Sequence, residues 1–172
     1  MADACQVAGA VMFGFVSNHQ KRKEVQQIML PWMNRVQIRT LDGNNKRGGT
    51  RTMLTDIVWA LPCAAYPKVD YSLVFAAVTR DISANGISFV HSAEITESRV
   101  IVGLNQANAD RRFLLCTVKH CTPLDHGFYL VGLLADEVVQ VGRKDEEAMH
   151  RLIDEHQNAG KEQAPARVKI VG

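Results

Sequence analysis

Short segments rich in β-branched and aromatic residues follow one another closely between Met53 and Leu134. In the first of them, strand-favouring residues recur at every second position from Met53 to Leu61, which is the period of a β-strand with one buried face. Gly, Pro, Asn and Asp, which favour turns, cluster between the segments. The further strands predicted are Tyr71–Thr79, Ile87–Val90, Val100–Leu104, Phe113–Cys121 and Phe128–Leu134. Several short strands at this spacing predict a closed or nearly closed β-barrel.

Helical patterns flank the predicted strands on both sides. Upstream, Lys21–Met33 carries an apolar stripe and is predicted to form a short helix that ends or kinks at Pro31. Downstream, Met149–His156 places three apolar residues on one face, and we expect that helix to stop at Asn158–Gly160. The sequence therefore predicts a mainly β domain with a helix at each end.

Composition and charge set limits on the class of protein. The chain has 172 residues, 47% of them hydrophobic, which is enough for one compact domain with a core. A formal charge of +2 is too small to indicate extensive nucleic-acid binding. Residues 21–51 nevertheless carry eight Lys or Arg against two acids, about +6. Such a segment either attracts a small anion or forms a solvated basic surface.

Cysteines and apolar runs indicate a cytoplasmic location. The four cysteines include no CxxC pair, and a chain of this length does not need disulfides, so we expect reduced thiols. The apolar run Ala8–Val16 is too short to span a bilayer and lacks the basic flank of a signal peptide. We therefore expect no transmembrane segment.

Two arginines, Arg47 and Arg51, lie in a Gly-rich stretch just before the first predicted strand. Each guanidinium can grip a phosphate, or the O6/N7 edge of guanine, through two parallel hydrogen bonds. Gly48 and Gly49 remove side chains that block a close approach. The spacing alone is weakly specific, because Arg35 and Arg39 share it, so the loop context selects the second pair.

A second motif, Asp-Ile-Ser-Ala-Asn-Gly at Asp81–Gly86, lies between two predicted strands. Its structural interpretation is a turn, since Asp and Ser side chains form hydrogen bonds with their own backbone and Gly supplies a positive φ. Its functional interpretation is that Asp81 accepts hydrogen bonds from the N1/N2 edge of guanine, while Ser83 adds a hydroxyl contact. A carboxylate suits that edge, which presents only donors.

The two motifs together, about thirty residues apart, resemble the signature of the PilZ family over roughly Arg47–Val139. The resemblance implies a six-stranded antiparallel β-barrel with flanking N-terminal and C-terminal helices. It also implies binding of cyclic di-GMP, a bacterial second messenger, as a ligand rather than a cofactor. The ligand-binding residues carried over are Arg47, Arg51, Asp81, Ser83 and Gly86, with Lys46 and Arg80 as further candidates.

The resemblance leads to a domain division and a role. We expect an N-terminal accessory segment at 1–46, partly helical with a loop, a barrel at 47–141, a helix at 142–160 and a flexible tail at 161–172. The implied function is a cytoplasmic regulator without catalytic or metal-binding residues, in which the ligand changes the conformation or the interaction with a protein effector. Framework positions depart from the family pattern, for example at Glu97–Arg99 where a Gly is common, which affects strand register more than ligand binding.

Three alternatives stay open at this point. Cys116, His120, Cys121, Asp125 and His126 cluster in sequence, but they lack zinc spacing, and on a regular strand Cys116 and His120 share one face. A barrel that binds DNA or RNA needs surface aromatic residues, and only 6% of the chain is aromatic. The strongest alternative is a PilZ-like protein-interaction adapter with weak or no nucleotide binding.

Overall fold

The structure, a computed structural model, describes residues 4–35, 39–40, 51–105 and 111–162, with side chains at 18–34, 51–105, 111–156 and 158. The described residues form two α-helices, α1 (Ala4–Arg35) and α2 (Arg143–Glu162). The strands are β1 (Arg39–Thr40), β2 (Thr52–Met53), β3 (Ile57–Cys63), β4 (Phe75–Ser83), β5 (Gly86–His91), β6 (Arg99–Asn105), β7 (Arg111–Pro123) and β8 (Tyr129–Val139).

Six of these strands close into a barrel. They follow the order β4-β3-β6-β7-β8-β5, and β5 pairs again with β4, so that the ring of hydrogen bonds is complete. Every pairing in the ring is antiparallel. The short strands β1 and β2 extend the sheet from β4. The predicted fold class, a six-stranded antiparallel barrel with a helix on each side, is confirmed.

The barrel interior is apolar and continues onto α1. Val25, Met29 and Trp32 of this helix are at most 2% exposed and pack with inward-facing strand residues such as Phe89 and Leu114. Burial of these side chains supplies the main stabilisation of the helix–barrel contact. An ion pair of 2.6 Å between Lys21 and Glu137 adds an anchor from α1 to β8.

A second apolar layer lies outside the barrel, beneath α2. Met149 and Ile153 of the helix pack against Trp59 and its neighbours on β3, β6 and β7. The Arg111 guanidinium lies 3.2 Å from the centroid of the Trp59 ring, which is a cation–π contact. Six of the seven residues of β3 are therefore buried, because this strand is covered on both faces.

Several element boundaries differ from the sequence prediction. Helix α1 continues through Pro31 to Arg35, because the buried stripe lies on both sides of the proline and tertiary packing outweighs the lost hydrogen bond. Helix α2 likewise continues past Gly160 to Glu162. Residues Tyr71–Leu73, predicted to begin a strand, form a 3₁₀ turn whose Ser72 backbone N–H donates to the Asp70 carboxylate. The domain division itself stays a prediction.

Among the described residues, neither helix is both long enough and apolar enough to cross a membrane.

Candidate functional site

The second motif forms the hairpin that joins β4 to β5. Asp81 and Ser83 end β4, Gly86 begins β5, and only two residues lie between the paired Ser83 and Gly86. The register shifts between Thr79 and Asp81, so Arg80 is an extra residue in β4. Such a bulge changes the direction of the side chains that follow it. Ile82 is consequently buried in the core, while Asp81 and Ser83 remain partly exposed on the outer surface.

Arg51 joins the two motifs. It lies directly before β2, which pairs with β4 through Met53 and Asp81. This pairing brings the Arg51 guanidinium to 3.6 Å from the Asp81 carboxylate. The side chain of Asp81 is 17% exposed and that of Arg51 47% exposed, so the contact is a partly solvated ion pair. Sequence elements thirty residues apart therefore meet at one place on the barrel surface.

A cavity of about 250 Å³ opens beside this ion pair. Most of its wall comes from the outer faces of neighbouring strands. Its lining residues are Arg51, Asp81, Ser83, Asn85, Gly86, Ile87, Ser88, Lys119, His120, Gly132, Leu133 and Leu134. Besides His120, the charged side chains of this lining are the cations Arg51 and Lys119 and the carboxylate Asp81. The described lining therefore favours an anionic ligand that also carries hydrogen-bond donors.

Ser83 and Gly86 hold the hairpin in shape. The Ser83 hydroxyl donates to the Gly86 carbonyl over a long 3.4 Å, so this hydroxyl is weakly held. The expected positive φ at Gly86 is wrong, since Gly127 has the only positive φ among the described glycines. Gly86 is required for a different reason. A Cβ at this position lies 2.5 Å from the backbone oxygen of Leu133, because β8 passes close to it.

Two of the three remaining predicted ligand-binding residues, Lys46 and Arg47, lie outside the described residues. Arg80 is described and exposed, but it does not line the cavity. Because Arg80 is the extra residue of the bulge, its side chain points in a different direction from that of Asp81.

Eight lining residues were not assigned a ligand-binding role from the sequence: Asn85, Ile87, Ser88, Lys119, His120, Gly132, Leu133 and Leu134. Ser88 is only 4% exposed and its hydroxyl accepts a 3.3 Å hydrogen bond from the Asp81 backbone N–H. The lining residues on β7 and β8 depend on cross-strand register, which a single sequence does not reveal. One usable signal was Asn85, which lies inside the motif and tolerates turn conformations.

Helix α1 contacts the rim of the cavity through Asn85. The side-chain amides of Gln26 and Asn85 lie 3.0 Å apart. In either orientation of the Asn85 amide, Arg22 donates to the Asn85 side-chain oxygen. The motif hairpin and the N-terminal helix are therefore physically connected at a residue that also faces the cavity.

The sequence cluster around Cys116 and His120 is divided between two environments. Cys116 is fully buried in the barrel core, whereas His120 is exposed, so the expectation that they share a face is wrong. The register shift between Val118 and His120 leaves Lys119 as an extra residue in β7, which breaks the strand alternation between Cys116 and His120. Burial raises the pKa of the Cys116 thiol far above its ordinary value, which opposes nucleophilic chemistry. Within the described residues, no three His, Cys, Asp or Glu side chains are grouped to hold a metal ion.

Comparisons with known proteins gave likenesses at the level of structure only. No protein-family model and no curated protein sequence matches the chain. The chain is similar to the Bacillus subtilis inhibitor of motility (MotI/DgrA), with 18% identity and a TM-score of 0.37, covering 66% of this chain and 53% of the other. It is also similar to the PilZ domain with c-di-GMP of YcgR from Escherichia coli, with 13% identity and a TM-score of 0.35, covering 72% of this chain and 100% of the other. The match thus spans about half the length of the B. subtilis protein, and neither likeness assigns a ligand to this chain.

Proposed function

We propose that this protein is a receptor for cyclic di-GMP that acts as a regulatory adapter and not as an enzyme. The observation that supports this most is the contact between Arg51 and Asp81 at the cavity. It combines a guanidinium fork with a carboxylate at a distance that one guanine nucleotide can bridge.

The chemistry of the two groups is complementary to guanine and phosphate. A carboxylate has about four acceptor positions, and the 3.6 Å contact with Arg51 leaves most of them for the N1 and N2 hydrogens of guanine. The Arg51 fork then binds a phosphate or the O6/N7 edge. The weakly held Ser83 hydroxyl is available for a further hydrogen bond.

The cavity holds only part of such a ligand. Its volume of about 250 Å³ is below the ~300–1,000 Å³ typical of small-molecule sites. A cyclic dinucleotide therefore extends beyond it, and we propose that Arg47 and Lys46 bind the protruding phosphates or base. Arg47 completes the arginine motif in the sequence, and Lys46 directly precedes it.

The test is calorimetric titration of the full chain with cyclic di-GMP. We expect binding, and we expect Arg47→Ala and Arg51→Ala each to reduce the affinity by about tenfold or more, because each removes a charge-assisted contact. Arg35→Ala and Arg39→Ala, which remove arginines at the same spacing, are the matched controls and should bind normally. Absence of heat and of competition with any labelled guanine nucleotide would refute the receptor proposal.

A second candidate function is an adapter that binds a protein and little or no nucleotide. Its support is an apolar surface on β3 and β4, where the cross-strand partners Ile57 and Val78 are 50% and 47% exposed. Leu73 nearby along the chain is 52% exposed. Partner binding that is unaffected by Arg51→Ala and by cyclic di-GMP would favour this candidate over the receptor.

A further inference from the structure

Four cavity residues on four adjacent strands form a row across the barrel surface. Asp81 on β4 is paired with Ser88 on β5, Ser88 with Gly132 on β8, and Gly132 with His120 on β7. Neighbouring strands lie ~4.8 Å apart, so the row runs roughly 14 Å along the sheet from Asp81 to His120. The end that carries His120 is opposite the end that carries the Arg51–Asp81 ion pair.

A bulge in β7 gives this second end two polar side chains instead of one. The register shifts between Val118 and His120, which leaves Lys119 as the extra residue. In a regular strand, consecutive side chains point to opposite faces. Here Lys119 and His120 both line the cavity and both are exposed. The cavity thus lies between two bulges, one in β4 beside Asp81 and one in β7.

The imidazole of His120 lies over Gly132, near the middle of the row. A Cβ at position 132 sits 2.5 Å from His120 Nε2 and 2.7 Å from Nδ1, and Cε1 is closer still. These contacts place the polar edge of the ring over the cavity floor. Only a glycine leaves this space free, so Gly132 permits the observed position of the ring.

We infer that Lys119 and His120 bind a phosphodiester of the ligand at the end of the row away from Asp81. This inference rests on the proposed function and adds a second set of ligand-binding residues to the same site. The Lys119 ammonium supplies a positive point charge for the phosphate, and a ring nitrogen of His120 donates to a phosphate oxygen. The two ends of the row then contact two different parts of one cyclic dinucleotide.

Titration of the full chain with cyclic di-GMP tests this assignment. We expect His120→Ala and Lys119→Ala each to weaken binding by about tenfold, since each loses a hydrogen bond to a charged group. Lys144→Ala, which removes an exposed lysine on α2 away from the cavity, is the matched control and should bind like the unmodified chain.

Gly132→Ala provides an independent variant that leaves both polar side chains present. The new methyl displaces the His120 ring, a flexible exposed group, so the fold should persist, as thermal melting will confirm. We expect a loss of affinity similar to that of His120→Ala. In the double variant the loss should equal that of His120→Ala alone, because both changes act through the same ring.

The possible failures are distinguishable. If the unmodified chain does not bind cyclic di-GMP, the proposed function is wrong and the inference falls with it. If the chain binds and Asp81→Ala loses affinity, but Lys119→Ala and His120→Ala do not, the receptor stands and the second end of the row is not part of it. A further loss in the double variant would show that Gly132→Ala obstructs the ligand directly, which contradicts its action through His120.

Discussion

The Asp81 carboxylate lies on the outer surface of the barrel and is not part of the core. It is paired with a half-exposed arginine, and exposed ion pairs contribute only about 0–1 kcal/mol to stability. We therefore expect Asp81→Ala to melt within a few degrees of the unmodified chain. Its affinity for cyclic di-GMP should fall about 10- to 100-fold, the equivalent of ~1.5–3 kcal/mol for hydrogen bonds to a charged group. Calorimetry and circular dichroism melts measure the two effects, and a large fall in melting temperature would assign Asp81 a structural role.

In contrast to Asp81, Gly86 is expected to matter for stability, because the constraint at this position is steric. In Gly86→Ala the added methyl meets the Leu133 backbone oxygen at 2.5 Å, and a backbone atom in a barrel strand has little freedom to move. Overpacking of this kind costs ~1–3 kcal/mol, which lowers the melting temperature by roughly 2–4 °C per kcal/mol in a chain of this size.

The matched control for that substitution is Gly142→Ala. Its added methyl meets only the end of the Asp145 side chain, at 3.1 Å. Equal melting temperatures for the two alanine variants would contradict the steric explanation for Gly86.

Helix α1 is the element best positioned to sense a ligand. It contacts Asn85, a cavity residue, through Gln26 and Arg22, and it also closes the barrel core. A ligand that fixes the hairpin should therefore stabilise the α1 contact.

Hydrogen exchange with and without cyclic di-GMP measures this effect. Amide protection should rise across residues 21–29 of α1 and across the hairpin at Asp81–Ser88. Helix α2, which packs on the other side through Met149, serves as an internal reference and should change little. Protection that rises at the hairpin while α1 stays unchanged would show that the signal leaves the barrel by another route.

Sequence patterns located most elements but misplaced details that depend on packing. The strands around Ile87–Val90 and Val100–Leu104 were predictable, because both are short runs rich in apolar and β-branched residues. The passage of α1 through Pro31 was not, because it depends on the burial of Trp32 against a distant strand. The bulge at Lys119 was also hidden, since local sequence carries no record of a shift in pairing.

The whole barrel should respond to the ligand as one cooperative unit. A ligand that binds only the folded state stabilises it by RT ln(1 + [L]/Kd), about 2.7 kcal/mol at one hundred times Kd. We expect cyclic di-GMP to raise the melting temperature and cyclic di-AMP to have little effect at the same concentration. The reason is that adenine presents an N6 donor where guanine presents its O6 acceptor. Equal shifts with both nucleotides in a thermal melt would overturn recognition of the guanine edge.

The candidate site was half predictable from the sequence. Asp81, Ser83 and Gly86 are contiguous and form a recognisable motif, and the structure brings Arg51 to the same place. Lys119, His120 and Gly132 lie much later in the sequence than this motif. Only the pairing of β7, β8 and β5 brings them into the cavity. Barrel closure makes strands distant in sequence into neighbours, so this half of the site required the three-dimensional arrangement.

The row from Asp81 to His120 makes the site sensitive to insertions and deletions within strands, which substitutions do not test. Each member of the row comes from a different strand, so the row exists only while four strands keep their mutual register. Insertion or deletion of one residue within β5 or β8 turns the side chains beyond it to the opposite face. Length variation in this barrel is therefore tolerable in the connections between strands, while an insertion inside a strand removes a proposed ligand contact even if every residue of the row is kept.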